Sequence, residues 1–267
     1  MDLIYGFVFF IFGLIIGSFL NVCAYRIPRS ESIAYPPSHC PSCGSDVRAI
    51  DNIPVLSYLL LSGRCRSCRE RISPKYPVIE LLTGLLWVAS YYSLGLGMEL
   101  PYALFFITTL ILLSAIDFDT KTIPNKILLP AMALSVLLLL LYFAGLTTPP
   151  IVANMDATGA IIGFLAGGGF LYAVAMLAPL IFKKEAMGGG DIKLAAFMGL
   201  YLGGYVMLAL FIGFFLGAVV GVILISRNKE GGQDMIPFGP FLAAGSIITL
   251  FFGPQMWHAY LSFSGLL

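Results

Sequence analysis

The chain has 267 residues, of which 59% are hydrophobic and only 11% charged, with a net charge of +1 and a mean hydropathy of +0.93. Soluble domains carry roughly 25% charged residues, so this composition excludes an ordinary soluble protein and describes a polytopic all-α membrane protein. The near-neutral charge gives no reason to expect a nucleic-acid partner.

Apolar stretches predict eight spans, at 3–24, 77–95, 101–117, 126–144, 157–182, 191–202, 204–226 and 238–260. Most are close to the roughly 20 residues that cross a hydrocarbon core, and the sixth is short. No basic residue precedes the first span and Arg26 follows it, the reverse of a cleaved signal peptide.

Residues 25–76 form the one large polar insertion. It holds Cys40-Pro41-Ser42-Cys43-Gly44 and, beyond 21 intervening residues, Cys65-Arg66-Ser67-Cys68. Two Cys-x-x-Cys pairs at this separation predict a tetrahedral zinc site of Cys40, Cys43, Cys65 and Cys68, each pair making a tight turn that aims two thiolates at the metal. Two disulfides are the alternative, which a reducing cytoplasm disfavours. So short and polar a segment buries little core, which makes the metal its expected fold determinant. Cys23, at the end of span one, reads as a small buried apolar residue. His39 could take a ligand's place, though a solvated loop histidine is the simpler reading.

Glu80 is an acid in the apolar run of span two, with Gly84 one helical turn along the same face. On its residues alone it reads as an interfacial carboxylate near Arg26 or Lys75. Span three runs into Asp117-Phe118-Asp119-Thr120-Lys121-Thr122-Ile123-Pro124-Asn125. Pro124 cannot continue a helix and pushes its predecessor toward extended backbone, so span three should end just after Asp117 and Asp119 and span four begin near Asn125. The two aspartates point about 200° apart if helical, so only one can face a partner. That partner is Asp191 in Gly188-Gly189-Gly190-Asp191-Ile192-Lys193.

Carboxylates at a bilayer boundary are costly to desolvate, which makes Asp117 and Asp191 functional candidates. Two carboxyls brought close cannot both ionise, so one holds a proton while the other serves as a base. Asp191 should open span six, where free amide groups and the positive helix end favour its ionised form, whereas Asp117 lies at a negative helix end. The glycines let a peptide backbone or the second carboxylate approach. A Gly-Gly-Gly-Asp alone is also a common loop and N-cap, and only its combination with the Asp117 motif makes it specific. Asp119 reads more simply as a solvated carboxylate near Lys121. Gly159, Gly163 and Gly167, like Gly213, Gly217 and Gly221, recur every fourth residue and predict close helix packing. The 13 Tyr and 21 Phe read mainly as lipid-facing or interfacial residues.

All 15 Lys and Arg fall between spans one and two, three and four, five and six, or seven and eight, with Lys126 and Lys193 just inside the starts of spans four and six. The positive-inside rule then places those loops in the cytoplasm and both termini outside, and cysteines at positions 148 and 186 should be labelled from opposite sides.

The spacing of Asp117 to Pro124-Asn125, taken with Gly188 to Asp191, resembles the type IV prepilin leader peptidases, a family of GxGD-type aspartyl proteases. Gly17-Ser18-Phe19-Leu20-Asn21-Val22-Cys23-Ala24-Tyr25-Arg26-Ile27-Pro28, the four-cysteine loop and Lys75-Tyr76-Pro77-Val78-Ile79-Glu80-Leu81-Leu82-Thr83-Gly84 resemble the amino-terminal half of its bifunctional bacterial members. The resemblance implies Asp117 and Asp191 as catalytic residues, Gly188, Gly189, Gly190, Lys193 and Asp119 as supporting ones, and Asn21, Arg26, Glu80 and Gly84 as methyl-transfer candidates. It implies a methyltransferase-associated region at 1–95 and a peptidase domain at 96–267. It further implies cleavage of prepilins or pseudopilins between a glycine and the following residue, commonly phenylalanine, at the cytoplasmic face of the bacterial inner membrane. N-methylation from S-adenosylmethionine would follow. No Gly-x-Gly-x-x-Gly fingerprint follows a predicted strand, so no soluble Rossmann-type donor site is expected.

A monofunctional leader peptidase without methylation is one alternative, and two other classes compete. A secondary transporter would use intramembrane acids as a proton relay and usually shows internal repeats, of which none is convincing here. A zinc-dependent membrane scaffold would need the cysteines but not the aspartates.

Overall fold

The computed structural model describes residues 1–146, 157–182, 188–227 and 236–265. Nine helices run through them in chain order: α1 Asp2–Arg26, α2 Leu56–Leu60, α3 Lys75–Leu94, α4 Glu99–Thr120, α5 Asn125–Phe143, α6 Ala157–Phe182, α7 Gly189–Leu202, α8 Val206–Arg227 and α9 Gly239–Phe263. No strand occurs among the described residues, only the isolated bridges His39–Asp46 and Arg64–Arg71. The eight longer helices follow the eight expected spans to within a few residues, and the short α2 lies in the polar insertion. The fold is an all-α membrane protein. Lys183, Lys184, Lys229 and positions 148 and 186 lie outside the described residues.

Six segments are long and apolar enough to cross a membrane, the last running over Gly189–Ser226 because only the short turn Gly203–Tyr205 separates α7 from α8. The 25-residue α9 is not among them, diluted by polar residues such as Ser246, Thr249, Gln255 and His258. At 1.5 Å per residue, the 14 residues of α7 extend about 21 Å, less than the roughly 30 Å of a hydrocarbon core. Alone, α7 cannot reach both faces of a bilayer.

The chain divides into two compact units, Met1–Leu96 and Gly97–Leu267. In the first, α1 packs on α3 at very short range. A Cβ at Gly13 would come 2.7 Å from the Gly84 Cα, and one at Gly17 would come 2.7 Å from the Glu80 Cα. Asn21 Nδ2 donates to the Tyr76 carbonyl at 3.1 Å, tying the end of α1 to the start of α3. In the second unit the same device recurs. Gly163 and Gly167 lie against the α7 backbone at Gly199 and Ala195, Gly213 lies against the Phe241 backbone of α9, and Gly217 lies against the ring of Phe238 just before α9. Lipid tails offer no hydrophobic drive for helices to associate, so small residues that admit close backbone approach take over that role. The aromatic residues divide: Phe7 and Phe211 are exposed, whereas Phe106, Phe197 and Tyr201 are fully buried, with Phe106 stacked on Tyr201 at 4.5 Å.

Candidate active site and metal centre

The connection between α4 and α5 behaves as Pro124 demands. Lys121 leaves the helix in a left-handed conformation, φ +55°, and its N–H returns to the Asp117 carbonyl at 2.8 Å. Pro124 itself is extended and α5 starts at Asn125. Asp117 therefore sits on the last turn of α4 and is 4% exposed, while Asp119 is exposed on another side of the turn. Asp191 is half-buried in the first turn of α7, its N–H bonded to the Gly188 carbonyl at 3.1 Å.

Three further contacts assemble this region. Lys193 Nζ donates to Asn125 Oδ1 at 3.0 Å, joining the two motifs directly. A Cβ at Gly190 would stand 2.9 Å from Ile123 Cβ, whereas one at Gly189 would meet nothing. Of the glycine run, Gly190 is thus the position where the α4–α5 connection presses against α7. The third contact was not foreseen from the motifs: the Gly239 N–H donates to Asp117 Oδ2 at 2.8 Å, and a Cβ there would come within 2.7 Å of the same oxygen. The available signal was Pro237-Phe238-Gly239-Pro240, a proline-flanked glycine opening an apolar helix. This contact also alters the expected distinction between the acids. Asp117 ends α4 but faces the amino terminus of α9, so each acid lies at the amino end of a helix and helix polarity does not assign their roles.

The glycines supply a graded test of this geometry. Gly239→Ala and Gly190→Ala should each reduce any hydrolysis at this site at least about tenfold, because the added methyl must displace Asp117 or the Ile123 loop, while Gly189→Ala should stay within about twofold. Equal losses in all three, measured as kcat/KM on detergent-purified protein, would contradict it.

The four cysteines of the first unit converge. Their sulfurs all lie within 4.8 Å of one another, the one such cluster of potential metal ligands among the described residues, and Cys40 Sγ is 3.8 Å from Cys68 Sγ. A tetrahedron of thiolates about 2.3 Å from zinc has edges of about 3.8 Å, so this donor set fits the ion. The two turns repeat each other 25 positions apart. Cys40 N–H bonds Ser45 O and Val47 N–H bonds Ser38 O, just as Cys65 N–H bonds Glu70 O and Ile72 N–H bonds Gly63 O. Each turn closes on a positive φ, +70° at Gly44 and +61° at Arg69. Hydrogen bonding with Ser45 holds the Cys43 thiol down at about 6. The Glu70 backbone hydrogen bond lowers the Cys68 thiol, but desolvation and the three neighbouring thiols carry it up to about 12. Four thiols so crowded cannot all ionise unless a cation sits among them. His39 turns away, with Nδ1 3.2 Å from the Pro37 carbonyl.

Of the proposed methyl-transfer residues, Asn21, Arg26 and Glu80 line one cavity, whereas Gly84 lies against Phe10 and Leu14 as a helix-packing residue. Arg26 does not pair with Glu80: its guanidinium donates to the carbonyls of Ser32, at 2.9 Å, and Pro36, at 2.7 Å.

Residues 11–94 match the bacterial peptidase A24 N-terminal domain, and residues 104–222 match the type IV leader peptidase family. A protein of Burkholderia pseudomallei named prepilin leader peptidase/N-methyltransferase is 35% identical, over 92% of this chain and 85% of its own length. Proteins of the same name from Pseudomonas aeruginosa and Aeromonas hydrophila are 34% and 35% identical, each over 95% of this chain and 92% of their own. No solved structure matches the chain.

Proposed function

The chain belongs to the type IV leader peptidase family, and from that premise we propose that it removes the short basic leader of prepilins or pseudopilins and then N-methylates the exposed amine. The transporter alternative gives way to the family match. What supports the peptidase half is that Asp117, held by the Gly239 N–H at the end of α4, and Asp191, at the start of α7, sit on segments joined by the Lys193–Asn125 hydrogen bond and the Gly190–Ile123 contact. In hydrolysis one carboxylate takes a proton from the attacking water while the other, protonated, gives its proton to the departing amide, without a covalent intermediate. Which of the two starts protonated is a property of the pair. Asn125, Lys193 and Gly190 hold the two motifs in register. Incubating the purified protein with a prepilin tests this directly: a product lacking the leader supports the reading, and an intact prepilin contradicts it.

The first unit, with the four-cysteine module, is proposed as the methyl-transfer half and the second as the peptidase. Zinc would hold the two Cys-x-x-Cys turns together, and S-adenosylmethionine would supply the methyl group.

The protein is proposed to lie in the bacterial inner membrane with the four-cysteine module and both aspartates at the cytoplasmic side, where a prepilin keeps its basic leader. Gly97 and Thr122 flank the two ends of α4. A cysteine introduced at Gly97 should react with an impermeant thiol reagent in intact cells, and one at Thr122 only after permeabilisation. The opposite pattern would invert the topology and remove the leader-peptidase geometry.

A further inference from the structure

The first unit contains a cavity of about 440 Å³ between the end of α1, the start of α3 and the two cysteine turns. That volume lies within the roughly 300–1,000 Å³ of small-molecule sites. Ser18, Asn21, Val22 and Glu80 of the helices line it, and so do Cys40 and Cys65 of the two cysteine turns.

Glu80 is the group in this lining that calls for explanation. It is 8% exposed, yet it is an acid on a membrane helix. Its Oε2 accepts the Val55 N–H at 2.7 Å, and the Ser18 hydroxyl also bonds the carboxyl. Val55 reaches it only by taking φ +60°, a conformation that β-branched residues rarely adopt. Strain of this kind persists where surrounding structure enforces it, and it concentrates at binding and catalytic sites. Here it delivers an amide to a carboxylate facing a cavity.

We infer that this cavity is the methyl-donor site and that Glu80 faces its two cationic centres, the donor's sulfonium and the substrate's amine. The inference rests on the leader-peptidase and methyltransferase reading above. Glu80 takes a proton from the substrate ammonium, which frees the nitrogen lone pair. That pair forms the bond to the methyl carbon as the carbon–sulfur bond breaks, and the breaking bond's electrons stay on sulfur, leaving a neutral thioether. The product is a monomethylated ammonium, and Glu80 passes its proton to water. A neutral amide at position 80 keeps the Val55 hydrogen bond but loses both the charge and the base.

The test is calorimetric titration of the full-length, zinc-loaded protein in detergent with S-adenosylmethionine and, separately, with S-adenosylhomocysteine, its uncharged thioether counterpart. The wild type should bind both. Glu80→Gln should shift the ratio of the two affinities about tenfold against the sulfonium, because only that ligand carries the charge Glu80 faces. Val22→Trp, which fills the cavity, should abolish binding of both at an unchanged melting temperature. An unaltered ratio in Glu80→Gln, undiminished binding in a folded Val22→Trp, or no binding by a wild type that removes leaders would each overturn the inference. Leader removal is assayed on the same preparations, so a wild type that removes no leader counts against the function proposed above instead.

Discussion

Asp117→Asn and Asp191→Asn should each lower leader removal by at least about 100-fold in purified, folded protein. General acid–base groups contribute about 10² to 10⁴ in rate, and a pair that shares one proton fails as a unit when either member loses its ionisable carboxyl. The amide at 117 could still accept the Gly239 hydrogen bond, so the fold should survive while the chemistry does not. Combining the two changes should cost little more than either alone. Asp119→Asn should cost far less, since that side chain is exposed rather than turned toward Gly239. Loss confined to Asp119→Asn would move the first acid by two residues; full cleavage by either of the other variants would dismantle the pair.

The metal module should respond to a single ligand change with an all-or-none loss. Wild-type protein should copurify with about one zinc per chain, and Cys43→Ser or Cys68→Ser should reduce this to near none, because thiolate sites release zinc when a quarter of their donor set is gone. The insertion has few other means of holding its shape. Besides the two turns, it is held by α2, the bidentate Arg66–Asp51 pair at 2.7 and 2.6 Å, the Arg26 bonds to the Ser32 and Pro36 carbonyls and the Val55 bond to Glu80. Such variants should lose methyl transfer before leader cleavage, since the aspartates belong to the other unit. Metal analysis finding no zinc in methylation-competent wild type prepared without chelators would reject the structural role.

Much of this was legible in the chain itself, and for physical reasons. Apolar runs must match the bilayer, so the helices appear where hydropathy puts them, and Pro124 stops α4 where its missing N–H requires. The cysteine cluster was readable because metal geometry dictates its spacing. What lay hidden depended on contacts between distant segments. Gly239 meets Asp117 across 122 positions, and no local pattern reveals which helix amino end an acid will face. The same limit applied to Gly84, whose packing against Phe10 and Leu14 of α1 no local pattern reveals. Arg26 looked like a natural partner for Glu80, and instead its fork of donors is taken by loop carbonyls.

The most direct measurement is the mass of a purified prepilin before and after incubation with this protein and S-adenosylmethionine, with Asp191→Asn as the control. The wild type should give a product lighter by the leader and heavier by one methyl group, and the control should leave the prepilin unchanged. A prepilin processed equally by both proteins, or left intact by the wild type, would contradict the proposed function.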